Sequence, residues 1–549
     1  KAGSLGNRTF DDITFVDSGA VTFQTSVDTD ADGELLIDGS TDGAVGGDLS
    51  VRSINGNITQ NIALTVTGTT TLQVDPSKNI TLDNVFNNFQ GAVGITRGNN
   101  VALVDAGAIV LGASIVSGTY GVTATSGGDI TDTGVLAITG ASTFTVAGGQ
   151  SILLDESSTY SSTVTFVPSS GTIAAVTIND SDEFELQALT VTGDLTVTAG
   201  DDITDSDTVT VGGDLSATTD ASSGAINLGT LVVTGTIALD THSGGAATIV
   251  DNDGINFATS TVRGNLNARA TAGDITDTGI LTVTGTSTFT VAGGQSIILG
   301  SDGGTFTGAV TFATSSGTLL SVEINDSNAF EIQELTVTQD LTVTAGDDIT
   351  DSDTITVGRN LVATTDDNNG EINLGTLRVD GTIALTTNDA ANNNTGHATI
   401  VNDDGIDFAL STVRGALNAT ATSGDIEQSG ALTIEGTTTL VANSGNNITL
   451  GNTSNDFQAA VTITSGNNVT LVDANAIILG GTSTVSGNYA VTATAGGTIT
   501  DSGVLAITGT STFRVAGGQS VLLTESSTFA TVTFTSPGTI ASVEINDSN

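Results

Sequence analysis

The sequence contains no cysteine, no methionine and no tryptophan, and only 3 prolines among 549 residues. Without cysteine there is no disulfide framework and no thiolate metal centre. No apolar run approaches the length of a membrane helix, because Thr, Asp or Gly interrupts within a few residues. No signal peptide is visible. Aromatic residues make up only 4% of the chain. That scarcity fits a narrow interior in which Val, Ile, Leu and Ala stack in rows and large rings fit poorly. Basic residues are also scarce: 11 Lys and Arg stand against 60 Asp and Glu, a formal net charge of −49. There is no basic patch to neutralise phosphates, which argues against nucleic acid as a partner and equally against an anionic membrane surface. Such acidity keeps a large surface soluble and self-repelling, and suits a medium whose salt or divalent cations screen or bridge carboxylates.

Glycine is abundant, at 69 residues, yet the apolar residues are placed periodically, which argues for order rather than a disordered Gly-rich tract. The organising stretch runs from Leu189 to Asp240 and opens LTVTGDLTVTAGDDITDSDT. Leu189, Val209 and Leu231 begin successive copies of one phrase, at spacings of 20 (209−189) and 22 (231−209). Inside each run apolar residues alternate with Thr, Ser or Asp, the period of a strand with one buried face. A unit this short cannot bury its own apolar face, but stacked on its copies it can. The sequence therefore predicts an all-β fold: a right-handed parallel β-helix, or β-solenoid, of about 20–22 residues per coil, drawn out as a rod. Gly at VTG, GGD and AGG is expected at the corners, where φ can be positive. In-register stacking is expected to set Asp on Asp in the DITD segments at Asp129, Asp202 and Asp274, where cations would relieve the repulsion.

Longer repeats overlie the coil. Asn79-Ile80-Thr81-Leu82 returns at an offset of 368 (447−79), and Tyr120 pairs with Tyr489 at an offset of 369 (489−120). AGDDITDSDT from Ala199 recurs at an offset of 146 (345−199), and DGINFATSTVRG from Asp253 recurs as DGIDFALSTVRG at an offset of 151 (404−253). The five extra residues fall in the loop between Asp240 and Thr248, which becomes Thr386 to Thr399. An insertion that leaves the pattern intact on both sides projects from the coil. His242 and His397 occupy these loops in different settings and read as solvated loop residues. Residues 1–50 form a less regular β segment, and 51–549 a continuous solenoid cut off inside a repeat, since SVEINDSN at the end matches Ser321 to Asn328. The chain reads as a portion of a longer protein, and an export signal is expected to lie before Lys1 or to have been removed.

Chemistry-bearing motifs are few. Asp28, Asp30, Asp32 and Gly33 match the opening of a D-x-D-x-D-G calcium loop, in which staggered carboxylates wrap a hard cation. The twelfth position is Gly39 instead of a bidentate Glu, so Asp38 or Glu34 would have to substitute. The metal candidates are thus Asp28, Asp30, Asp32 and Asp38, with Ca2+ as the ion and an acidic turn without metal as the alternative. Asp201, Asp202, Asp205 and Asp207 cluster, but the cluster recurs at Asp347, Asp348, Asp351 and Asp353. Catalytic sites are usually single, so repeated carboxylates read as scaffold or ion sites, and Arg263, Arg269 and Arg414 are too few for an anionic substrate. No catalytic residue is assigned. Thr-x-Thr spacing in TVTGTSTFTV from Thr282 is explained by β propensity, without a flat ice-binding ladder. The N-x-S/T sites at Asn57, Asn447 and Asn468 read as corner chemistry.

The phrases GDLTVTAGDDITDSD from Gly193, GNLNARATAGDITDTG from Gly264 and GALNATATSGDIEQSG from Gly415 resemble the filamentous haemagglutinin type of repeat. More broadly they look like the large right-handed β-helix adhesins that bacteria export by two-partner and autotransporter routes. The resemblance implies a secreted, cell-surface or matrix rod used as a fibre or in adhesion, often without cysteine, as here. No functional residue carries over, because the matching motif is the scaffold itself. The expected role is an extracellular structural repeat protein, a subunit of a bacterial surface filament, sheath or matrix that self-associates end to end or side by side. The alternative is a cell-surface adhesin presenting loops from a β-helix stalk to cell-surface or matrix glycans. A polysaccharide-active β-helix enzyme is the minor alternative.

Overall fold

The computed structural model of the protein describes residues 3–5, 12–24, 34–37, 43–220, 223–366, 370–388, 395–443 and 445–548. Among them there are strands and turns and no helix, and the strands stack in parallel as a β-solenoid of about 21 residues per turn. Two units are present, Lys1–Thr271 and Ala272–Asn549.

In the first unit each turn gives one short strand to each of three parallel ladders. One ladder sets Val176 on Leu195, Leu195 on Leu215 and Leu215 on Ile237. A second runs through Phe184, Ile203, Ile226 and Ala247. The third sets Leu189 on Val209 and Val209 on Leu231, the three positions from which the phrase repeats in the sequence. The alternation has its expected cause. In Leu195–Ala199, residues Leu195, Val197 and Ala199 are buried, while Thr196 and Thr198 face outward. Each buried Val, Leu or Ile is worth about 1.5–3 kcal/mol relative to exposure, and no single turn could collect it alone.

The second unit repeats the arrangement with the sequence numbers of the long copy. Val322, Leu341, Leu361 and Ile383 stack in one ladder. Phe330, Ile349, Ile372, Ala398 and Leu417 stack in another, and Leu335, Ile355 and Leu377 in the third.

Rings do enter the interior, contrary to the expectation that they fit poorly. Some stand singly, as Phe23, Phe89, Phe408 and Phe457 do, and others gather in clusters. In the first unit Phe144 packs against Tyr120, Tyr160 and Phe166 with ring centroids 6.1, 6.3 and 6.2 Å apart. In the second, Phe289 packs likewise on Phe306 and Phe312, and Phe513 on Tyr489, Phe529 and Phe534. The pairs are edge-to-face, as Phe144 on Tyr120 and Tyr160, or stacked, as Phe144 on Phe166, and such pairs add about 0.5–1.5 kcal/mol each.

Glycine has two separate uses at the corners. The second Gly of each VAGGQ has positive φ: Gly149 at 81°, Gly294 at 84° and Gly518 at 83°. At Gly235 the requirement is closeness, since a Cβ there would lie 2.4 Å from Oδ1 of Asp214 in the turn below.

Candidate functional surface: the corner carboxylates and their clefts

The corners carry most of the chemistry of the chain, and main-chain hydrogen bonding is its first use. Oδ1 of Asp194 accepts the N–H of Asp214 at 2.9 Å, and Oδ1 of Asp214 accepts both the N–H and the hydroxyl of Thr236 at 2.7 and 2.9 Å. The acceptors at Asn57, Asn79 and Asn100 form the same series, ending on Thr119. In the second unit it runs from Asp425 through Asn447, Asn468 and Asn488 to Thr510. The sequon asparagines Asn57, Asn447 and Asn468 are therefore corner acceptors. An Asp or Asn passes the series on, because it offers an oxygen to the next turn; a Thr ends it. Asp214 titrates below the usual carboxylate range, chiefly because of the N–H of Thr236.

The repeated acidic cluster is used in the same way. Asp202 accepts the N–H of Ala225, and Asp205 takes the N–H groups of Gly229 and Thr230 together with the Thr230 hydroxyl. Asp207 accepts from Thr208. Asp348, Asp351 and Asp353 make the equivalent bonds. In the DITD segments the leading aspartates meet other neighbours, whereas Asp132, at the end of the first segment, does lie beside an aspartate of the next turn, its Oδ1 accepting the N–H of Asp155 at 3.0 Å. Asp129 meets the N–H of Ser151, Asp274 that of Ser296 and Asp202 that of Ala225. The long repeat aligns these aspartates in sequence, but the vertical neighbour is one short turn away.

Arg263 pairs with Asp240 at 2.6 Å and Arg414 with Glu435. His242 is exposed, as expected, and Ser243 lies 3.2 Å from its Nδ1. His397 departs from the expectation of a solvated residue. It is half-buried, and its Nδ1 accepts the N–H of Ala416 at 2.8 Å, the role Asp and Asn play at other corners. Residues 389–394 of its loop lie outside the described residues, and so do the calcium-loop candidates Asp28, Asp30, Asp32 and Asp38. Among the described residues no group of three or more His, Asp or Glu side chains is placed to hold a metal ion.

Between corners the surface opens into polar clefts. One of about 950 Å³ in the first unit is lined by Tyr160 to Val164, Asp180 to Glu185, Gly200 to Asp202 and Thr204. It carries six carboxylates, at Asp180, Asp182, Glu183, Glu185, Asp201 and Asp202, and no cationic side chain. Its counterpart in the second unit, about 330 Å³, has Asp326 and Glu331 but Ala329 in place of Glu183. A third, of about 550 Å³, is lined by Asp380, Asp404, Asp407, Asp425 and Glu427 among others.

Reading the sequence for clusters missed the carboxylates that point inward. Asp105, Asp180, Asp251, Asp326 and Asp473 are each at most 1% exposed. Burial pushes all five up, and Asp180, Asp326 and Asp473 reach about 6. Each bridges two turns: Asp105, for example, accepts the N–H of Phe89 from the turn before and of Gly107 from its own corner. The signal was present in the alternation. In VTIND, Val176 and Ile178 face inward, and parity puts Asp180 on the same side.

A family model described as repeats of unknown function (DUF5649) matches residues 5–96, 98–166, 173–230, 244–313, 320–374, 395–464 and 466–536. No curated protein and no solved structure matches the chain.

Proposed function

We propose, for a chain that belongs to the family of repeats of unknown function DUF5649, the role of an extracellular structural repeat protein, a subunit of a bacterial surface filament, sheath or matrix. One observation carries the reading. Many of the corner side chains that could have served a ligand or a reaction are bonded from turn to turn, as in Asp194 to Asp214 to Thr236. Side chains that elsewhere make active sites here set register. The acidic exterior and the resemblance to the filamentous haemagglutinin type of repeat support the same role. Partners on this reading are further copies of the chain, and Ca2+ is a candidate bridge between carboxylates of the open clefts.

An adhesin is the second reading. It is favoured by the corresponding loops Asp240 to Thr248 and Thr386 to Thr399, which differ in length and composition while the strands beside them agree. Loops that vary on a constant scaffold are where recognition is usually placed, with cell-surface or matrix glycans as the ligands. A polysaccharide-active enzyme draws least support, since Asp202, Asp205 and Asp207 are occupied by main-chain donors.

Electron microscopy of native material, with and without a divalent-cation chelator, tests the proposal. Long uniform fibres are expected, and their dissolution by chelator would assign the clefts to a bridging metal. Dispersed single chains under both conditions would sink the filament reading and leave the adhesin.

A further inference from the structure

Asp180 and Asp326 occupy equivalent places in the two units, at the inner ends of the strands Val176–Asp180 and Val322–Asp326. Each is 1% exposed. In both, one oxygen receives every N–H. Oδ1 of Asp180 accepts from Tyr160 and Asp182 at 3.3 and 3.2 Å, and Oδ1 of Asp326 from Phe306 and Asn328 at 3.2 and 3.1 Å. Oδ2 of Asp180 is buried with no hydrogen-bond partner among the described residues. An ionised carboxylate divides its charge over two oxygens, and burying one of them bare is costly. A neutral carboxyl puts far less charge on that bare oxygen than a carboxylate does, so this division favours the protonated form.

The chain supplies its own comparison. At the inner end of Ala398–Asn402 the residue is Asn402, fully buried. Its Oδ1 accepts the N–H of Val379 at 2.9 Å, while its Nδ2 donates to the carbonyls of Val379 and Gly405 at 3.2 and 2.5 Å. On the ladder of Asp180 itself, two turns on, Thr219 donates its hydroxyl to the carbonyl of Gly224 at 3.0 Å. Asn402 and Thr219 show that a neutral, donating side chain is accepted at the inner strand end, where Asp105, Asp251 and Asp473 also stand.

We propose that Asp180 and Asp326 are proton-operated locks: each is held as a neutral carboxylic acid in mildly acidic medium, and the solenoid loosens at these turns when they ionise. The groups facing Asp180 are the Tyr160 phenol from the strand before and the cleft carboxylates of Asp182, Glu183, Glu185, Asp201 and Asp202. Asp326 shares its cleft with Glu331. No cation lines either cleft to stabilise the ionised form, and burial lifts both acids to about 6. The native state therefore binds these protons more tightly than the unfolded chain, whose carboxyls titrate near about 4. The stabilisation is complete below about pH 4 and disappears as pH rises through about 6. This regulation is independent of whether the chain forms filaments.

Thermal unfolding of the full chain and of the Asp180→Asn, Asp326→Asn double variant, in high salt to screen surface repulsion, is the test. The melting temperature of the unsubstituted chain is expected to fall between about pH 5 and about pH 8. The double variant should lose clearly less over that range, the fall that remains coming from Asp132 and Asp473, which titrate there too. Equal slopes in the two proteins would overturn the proposal. If the variant fails to fold, infrared spectroscopy of the unsubstituted chain decides. Its carboxylic-acid carbonyl band at about pH 5.5 should exceed that of the singly substituted Asp180→Asn and Asp326→Asn chains, the remainder belonging to Asp132 and Asp473, and a band of equal strength in all three refutes the locks.

Discussion

Asp214 and Asn360 occupy the same corner in successive long repeats and make the same two bonds: Oδ1 of each accepts the N–H and the hydroxyl of a threonine one turn on, Thr236 and Thr382. The oxygen is the shared requirement, and the charge adds to it only modestly at this exposed corner, where the Thr236 donors hold Asp214 below its ordinary range. Asp214→Asn should leave stability within about 0.5 kcal/mol, whereas Asp214→Ala, which strips Thr236 of its acceptor, should cost about 0.5–1.5 kcal/mol. Denaturant titration of both variants checks this.

Gly235 is required by closeness to the turn below, where a Cβ would meet Oδ1 of Asp214 at 2.4 Å and the carbonyl oxygen of Gly213 at the same distance. Backbone atoms cannot swing away as a side chain can. Gly235→Ala should cost about 1–3 kcal/mol by the usual scale for overpacking. Hydrogen exchange should show the loss concentrated at Leu215–Thr219 and Ile237–Asp240.

Phe144 touches three other rings, so truncating it empties the middle of the cluster. Phe144→Ala should destabilise by about 3–5 kcal/mol and Phe144→Leu by less. In a stack where each turn contacts only its neighbours, the damage should stay local. Proteolysis near residues 120–166 should accelerate while fragments from the second unit persist.

Asp132 is lifted to about 7, first by burial and further by the Asp155 carboxylate, against the opposing N–H groups of Glu156 and Asp155. Its Oδ2 is buried without a hydrogen-bond partner among the described residues. A raised native value means the stabilisation is present below about pH 4 and lost as pH rises through about 7. Asp132→Asn should therefore gain about 1–3 kcal/mol over the unsubstituted chain at about pH 8 and little at about pH 4. Unfolding curves at the two pH values decide it.

The coil was legible because its signal is local and repeated: Leu189, Val209 and Leu231 stand out in the sequence and pair in the structure. What the corners do was less legible. Asp129 and Asp274 look alike at long range, yet each bonds to a serine, because vertical neighbours are set by the short turn and the sequence shows the long copy more loudly. Asp180 was readable by parity but hidden by the habit of placing carboxylates outside. The role of His397 depends on the three-dimensional approach of Ala416, which no spacing rule announces.

The corner series has a consequence for how such a chain changes length. Each rung asks only for an oxygen below and an N–H above, and Asp and Asn answer interchangeably. A whole turn can then be copied or deleted by unequal recombination, and the new seam closes with the same bond as the old one. The five residues added between Thr386 and Thr399 relative to the earlier copy leave the ladders on both sides paired. Growth by duplication is thereby nearly free of structural penalty, and the limit on chain length passes from folding to the genome and to synthesis.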